Sequence, residues 1–224
     1  MRVSLAKVSV SIGAALISVM LVAPAASVAD PGAVRPRVET CPDIQVVFAR
    51  GTGEPPGPGR VGQAFMDSLR ALVNAKSVAL YAVDYPATYD FLRAVDGAND
   101  ARQFVEDMVA SCPQSKVVLG GYSQGAAVVD LITVPGKATF GFGDPLPNDI
   151  ADHVAAVAVF GNPSNRIGGP LTALSPLFGF KAIDLCNGAD PVCSPGNDAA
   201  AHRVYVESGL ASQAAQFVAH RLTG

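Results

Sequence analysis

Lys116-Val117-Val118-Leu119-Gly120-Gly121-Tyr122-Ser123-Gln124-Gly125-Ala126-Ala127-Val128 is the stretch on which the fold turns. Its first half is a valine-rich apolar run, the mark of a buried parallel strand. Its second half is G-x-S-x-G followed by small residues that open a helix. A serine nucleophile must project from a very sharp strand-to-helix turn in a strained backbone conformation. Such a turn tolerates no bulk two residues to either side, which accounts for Gly121 and Gly125. The helix starting at Gln124 aims its amides and positive dipole end at developing negative charge. Without chemistry, the same residues would read as a Gly-rich connection.

Further apolar runs occur at Ile44–Ala49 and Val154–Gly161, with shorter strand-like segments at Ser77–Asp84 and Phe180–Leu185. Helical patterns lie between them, at Val61–Val73, Asn99–Ala110 and Gln124–Ile132. A last amphipathic helix covers Ser208–Leu222, with Leu210, Ala214, Phe217, Val218 and Leu222 on its core side. Strands alternating with helices predict a parallel sheet covered on both faces. Two long loops, Pro135–Asp149 and Asn162–Gly179, interrupt the alternation, and loops of that length are usually functional. The apolar residues from Ile167 to Phe180 are expected either as a rim in transient contact with a lipid or wax interface or as core beneath the loop.

The chain has 224 residues, room for one domain. Residues 1–29 read as a cleaved signal peptide: Arg2 and Lys7 precede the apolar Val8–Val22, and Ser27-Val28-Ala29 supplies a small-residue cleavage site. Residues 30–40 read as a flexible lead into the domain at 41–224. Losing Arg2 and Lys7 takes the net charge from −3 to −5. A tryptophan-free acidic chain has no basic stripe for nucleic acid, so no nucleic-acid partner is expected. A secreted monomer is expected.

The four cysteines, Cys41, Cys112, Cys186 and Cys193, favour two disulfides in an exported protein, with three connectivities open. A tight local bridge fits Cys186 and Cys193. Cys41 and Cys112 would then close a loop of about 70 residues. The cysteines lack paired C-x2-C spacing, so neither a zinc site nor any other cofactor is expected.

A serine hydroxyl needs a base, and the chain offers three histidines. His153 precedes a strand, at the end away from where sites form in such sheets. His220 lies near the end of the terminal helix. His202 follows the Gly/Pro/Asn-rich Asn187–Ala201 loop and is the best base. A carboxylate must orient it, with Asp184, Asp190 and Asp198 as candidates. Asp190 sits within Cys186–Cys193, where a bridge would hold it rigid. The oxyanion needs two amides. One is the residue after the nucleophile, Gln124; the other comes from Gly51–Gly53, with the Thr52 amide, helped by its hydroxyl, as the candidate.

As a set, Phe48–Glu54 (F-A-R-G-T-G-E), Gly121–Gly125 (G-Y-S-Q-G) and Cys186–Cys193 (C-x3-D-x2-C), with His202 downstream, resemble the cutinase family. The likeness runs from Cys41 to the C-terminus and is closest to cutinase-like proteins secreted by mycobacteria and related actinobacteria. It implies a three-layer α/β-hydrolase-like fold with a central five-stranded parallel sheet and no large lid domain. It implies a Ser123–Asp190–His202 triad, an oxyanion hole at Thr52 and Gln124, and bridges Cys41–Cys112 and Cys186–Cys193. It also implies hydrolysis of carboxylic esters with short- to medium-chain acyl groups, and of lipids or cutin. Threonine stands at 52 where many fungal members carry serine, and both long loops depart from the fungal pattern, which leaves substrate choice open. The alternatives are a phospholipase A or triacylglycerol lipase, an acyltransferase, or, in a different class, a catalytically silent secreted binding protein.

Overall fold

Alternating apolar residues build a parallel sheet, and a computed structural model describes it through residues 41–136 and 145–223. The signal-peptide and lead-segment readings, over residues 1–40, and the middle of the Pro135–Asp149 loop lie outside the described residues. In chain order the elements are β1 (Ile44–Ala49), α1 (Gly59–Leu72), β2 (Val78–Ala82), α2 (Ala94–Ser111), β3 (Lys116–Tyr122), α3 (Gln124–Thr133), α4 (Asn148–Ala151), β4 (Val154–Phe160), α5 (Ser164–Ile167), α6 (Leu171–Leu174), β5 (Ala182–Leu185) and α7 (Leu210–Thr223).

The five strands run parallel in the order β2-β1-β3-β4-β5. Period-two alternation splits each strand between two cores. Val47, Val117, Leu119, Val157 and Val159 face α2 and α3. Ile44, Val46, Phe48, Val118, Ala156, Ala158 and Phe160 face α1 and α7. Three layers result, as the resemblance implies. On the α1/α7 side the rings of Phe48, Phe65 and Phe160 meet at centroid distances of 6.1 to 6.3 Å, in the tilted and edge arrangements that aromatic quadrupoles favour.

The order reverses direction at β1, so the chain leaves β1 and β3 in opposite senses. This is the topological switch point, where open α/β sheets bind ligands beyond the carboxyl ends of the strands. Thr52 follows β1 and Ser123 follows β3, and the two strands are paired from Ile44↔Lys116 to Ala49↔Gly121.

The larger departures from the sequence expectation are at α2, at β5 and in the Asn162–Gly179 segment. α2 begins at Ala94 rather than Asn99 because the turn at Phe91–Arg93 runs directly into it. Gly97, which breaks the apolar pattern, is the point of close packing: a β-carbon there would lie 3.0 Å from Tyr85 and Val128. Phe180 and Lys181 belong to a 3-10 turn, so β5 starts only at Ala182. The Asn162–Gly179 segment is not a bare loop. It contains α5 and α6 and buries Leu171 and Phe178 in the core.

The apolar residues of that segment therefore have separate fates: Leu171 and Phe178 take the core alternative, and the exposed Ile167 and Phe180 do not share one rim. Ile167 is 83% exposed beside the pocket described below, whereas Phe180 is exposed at the start of β5, the far end of the sheet. There it lies against Lys181 and Arg221.

Candidate active site

Ser123 sits at φ 56°, ψ −117°, a conformation that non-glycine residues rarely adopt. Holding it costs on the order of 1–3 kcal/mol, offset by the surrounding structure. The Ser123 amide donates to the Phe160 carbonyl at 2.8 Å, and the Ser123 carbonyl accepts from the Ala126 amide at 2.9 Å. The flanking glycines are a matter of space. A β-carbon on Gly121 would lie 2.1 Å from the Gly125 carbonyl oxygen, and one on Gly125 would lie 2.0 Å from that of Ala49.

Asp190 is fully buried within the Cys186–Cys193 disulfide loop. The Asp190 amide donates to Asn187 O at 3.1 Å, its carbonyl accepts from the Ser194 amide at 2.9 Å, and its Oδ1 accepts from the Val192 amide at 2.8 Å. The other oxygen, Oδ2, lies 2.7 Å from His202 Nδ1, and His202 Nε2 lies 2.9 Å from Ser123 Oγ. A carboxylate can only accept, so the Nδ1 proton faces Asp190 and the lone pair of Nε2 faces the serine hydroxyl. The imidazole is carried by the Ala201–Arg203 turn. The Asn187 side chain donates to Ala201 O at 2.8 Å. Tyr122 holds it from the other side, with its hydroxyl donating to the His202 carbonyl and its ring stacked on the imidazole at 5.0 Å. Burial pushes the Tyr122 hydroxyl up to about 12, so it stays a donor at neutral pH.

The other candidates lie elsewhere. Asp198 is exposed and accepts from the Ala200 amide at 2.8 Å, capping the turn that carries His202. Asp184 is in β5 and accepts from Asn162, Asn165 and the Leu171 amide. Burial pushes its carboxyl above the ordinary range, against those three donors. His153 precedes β4 at the amino end of the sheet, and His220 is exposed in the last turn of α7.

At the end of β1 the backbone is bent by Glu54, whose carboxylate accepts from the Gly51 amide at 2.7 Å and from the Arg60 amide at 2.8 Å. Arg50, buried, donates to Glu54 O at 2.9 Å and to Val83 O at 3.3 Å. The Gly53 amide is used by Ala87 O at 2.7 Å. Between them the Thr52 amide meets no acceptor among the described residues. Gln124, first in α3, has no intrahelical acceptor for its amide either. The Thr52 hydroxyl donates to Gln124 Oε1 at 3.0 Å, bracing the two residues against each other.

Ser123, His202, Thr52 and Gln124 open into one pocket of about 660 Å³. Its remaining wall is mostly apolar and includes Tyr89, Phe91, Ala127, Pro163, Ile167 and Val192. Tyr89, Phe91 and the adjacent Leu92 are 82%, 63% and 69% exposed. Sequence reasoning missed these three, because they fall in an irregular segment before α2 with no apolar period. It also missed Tyr205, whose only signal is its spacing of three from His202. Tyr122 stood inside the motif itself.

Comparison with known proteins bears on the family and the fold. The family model Cutinase matches residues 40–222. Phospholipase Culp4 of Mycobacterium tuberculosis is 55% identical over 192 residues, 86% of this chain and 84% of that protein. Carboxylesterase Culp1 of Mycobacterium bovis is 47% identical over 191 residues, 82% of this chain and 83% of that protein. Among solved structures, Trichoderma reesei cutinase in complex with a C11Y4 phosphonate inhibitor superposes with a TM-score of 0.66 at 32% identity, covering 82% of this chain and 78% of that one.

Proposed function

The chain belongs to the cutinase family, and from that premise we propose that Ser123 is the nucleophile, His202 the base and Asp190 its orienter. The protein is a serine-type hydrolase of carboxylic esters. The single observation that carries the residue assignment is the unbroken chain from Ser123 Oγ through both imidazole nitrogens to a buried carboxylate, at 2.9 and 2.7 Å.

His202 Nε2 takes the hydroxyl proton as Ser123 Oγ bonds to the ester carbonyl carbon. The amides of Thr52 and Gln124 hold the oxyanion of the tetrahedral adduct. The bond to the alcohol oxygen then breaks, and that oxygen leaves with the proton from Nε2. Water, deprotonated by His202, attacks the acyl-enzyme, and the acid departs as Ser123 recovers its proton. Asp190 keeps one tautomer throughout.

The substrates are esters of short- to medium-chain acids, including lipids, which the apolar wall of the pocket suits. Tyr89, Phe91, Leu92 and Ile167 rest on the lipid surface while an acyl chain enters. The protein is secreted, in keeping with its disulfides and its leader-like residues 1–29. Ser123→Ala should lower p-nitrophenyl butyrate hydrolysis by about 10⁴- to 10⁶-fold, with an unchanged circular-dichroism spectrum and melting temperature. Turnover within tenfold of the unmutated enzyme would rule the assignment out.

A further inference from the structure

The Asp190 carboxylate has a third partner besides the imidazole and the Val192 amide. The Tyr205 hydroxyl lies 2.7 Å from Oδ2, the same oxygen that His202 Nδ1 meets. The direction of that bond follows from the inventory around the phenol. The Asn187 amide donates to the hydroxyl oxygen at 3.1 Å, and Cys193 Sγ, 3.3 Å away, is a disulfide sulfur with no proton to give. The single phenolic proton has a carboxylate and a weak sulfur acceptor within reach, so it goes to the carboxylate.

The ring cannot swing away. It is fully buried and packs edge-on against Phe160 at 6.2 Å and against Tyr122 at 5.6 Å. Its carbonyl accepts from the Leu210 and Ala211 amides where α7 begins. Burial, with the bond to Asp190 second, pushes the hydroxyl far above its ordinary range, so it donates at every pH the enzyme meets. The titratable groups facing it are Asp190, His202 at 6.2 Å between ring centres, and Tyr122; Glu54, Arg60 and Arg203 act at longer range through Tyr122.

We propose that Tyr205 is a positioning residue for the hydrolysis: by donating to Asp190 Oδ2 it fixes the carboxylate in the imidazole plane and withdraws part of the charge that steadies the imidazolium. This rests on the Ser123–His202–Asp190 assignment above. One hydroxyl thereby ties the entry, the acid and the exit of the disulfide loop to the segment that bears the base. It touches neither substrate nor pocket.

Tyr205→Phe keeps the ring and removes only the proton donor. Expected is a fall in kcat of about tenfold with KM unchanged, the scale of one lost charge-assisted hydrogen bond. The acid limb of the kcat/KM profile should move up by roughly half a pH unit, because a less shared carboxylate holds the imidazolium more firmly. Site-specific 3-fluorotyrosine at 205, a stronger donor in an intact fold, should move that limb down, and it decides the question if the phenylalanine variant does not fold. A limb that stays put in whichever of these variants folds overturns the proposal even if kcat falls, since a purely structural role would do no more. Hydrolysis retained by His202→Gln overturns the triad assignment instead, and with it this one.

Discussion

At Gly125 a β-carbon would meet the Ala49 carbonyl oxygen at 2.0 Å, with the Arg50 oxygen at 2.6 Å. Both obstacles are backbone, held by strand pairing at Ala49 and by the Tyr85 hydroxyl donating to the Arg50 oxygen, so neither can yield as a flexible side chain would. Gly125→Ala is accordingly expected to cost at least about 3 kcal/mol, at the upper end of overpacking effects. It should also cost most of the activity, because the shift that relieves the clash moves Ser123 and the Gln124 amide together. Urea unfolding monitored with residual esterase activity checks both, and a variant of unchanged stability would show that the turn has room to spare. These glycines, with Ser123, were legible in the sequence because steric demand at a sharp turn leaves one residue type. Tyr205 was not, since nothing local separates a tyrosine that bonds a carboxylate from one that merely packs.

Among the elements, the two disulfides act at different places. Cys41–Cys112 spans 71 residues and joins the start of β1 to the end of α2, at the pole away from Ser123. Removing it as the double serine variant should cost about 4 kcal/mol through the entropy of the unfolded chain and leave kcat unchanged. Cys186–Cys193 spans 7 residues, worth about 2.5 kcal/mol by the same relation, and encloses Asp190. Its double serine variant is the less destabilised of the two but should lose kcat, because the carboxylate no longer has a rigid seat. Thermal melts paired with kcat for both variants test the contrast; equal effects on kcat would contradict it. The strands were readable from valine-rich runs, and α1, α3 and α7 from their apolar stripes. The start of α2 was hidden by Gly97, and α5 and α6 by helices only four residues long, too short to display a period.

For the described molecule as a whole, everything with chemistry lies beyond the carboxyl ends of the strands, at the switch point between β1 and β3. The exposed Tyr89, Phe91, Leu92 and Ile167 cluster at that same end. Phe180, at the other end, shows why chain proximity misled: residues 167 and 180 are separated by the run up to β5. If the apolar end rests on lipid, Leu92→Ser, outside the pocket lining, should leave hydrolysis of dissolved butyrate esters intact. It should weaken activity on emulsified esters by up to about 30-fold, the equivalent of the roughly 2 kcal/mol that burial of a leucine contributes. Equal rates of the variant and the parent on emulsion would argue against an interfacial role.

The most direct measurement is covalent. A fluorophosphonate probe followed by peptide mass spectrometry should find one adduct, on Ser123, and none when His202 is replaced by glutamine. An unlabelled parent protein, or an adduct on any other side chain, would contradict an activated serine at the head of this sheet.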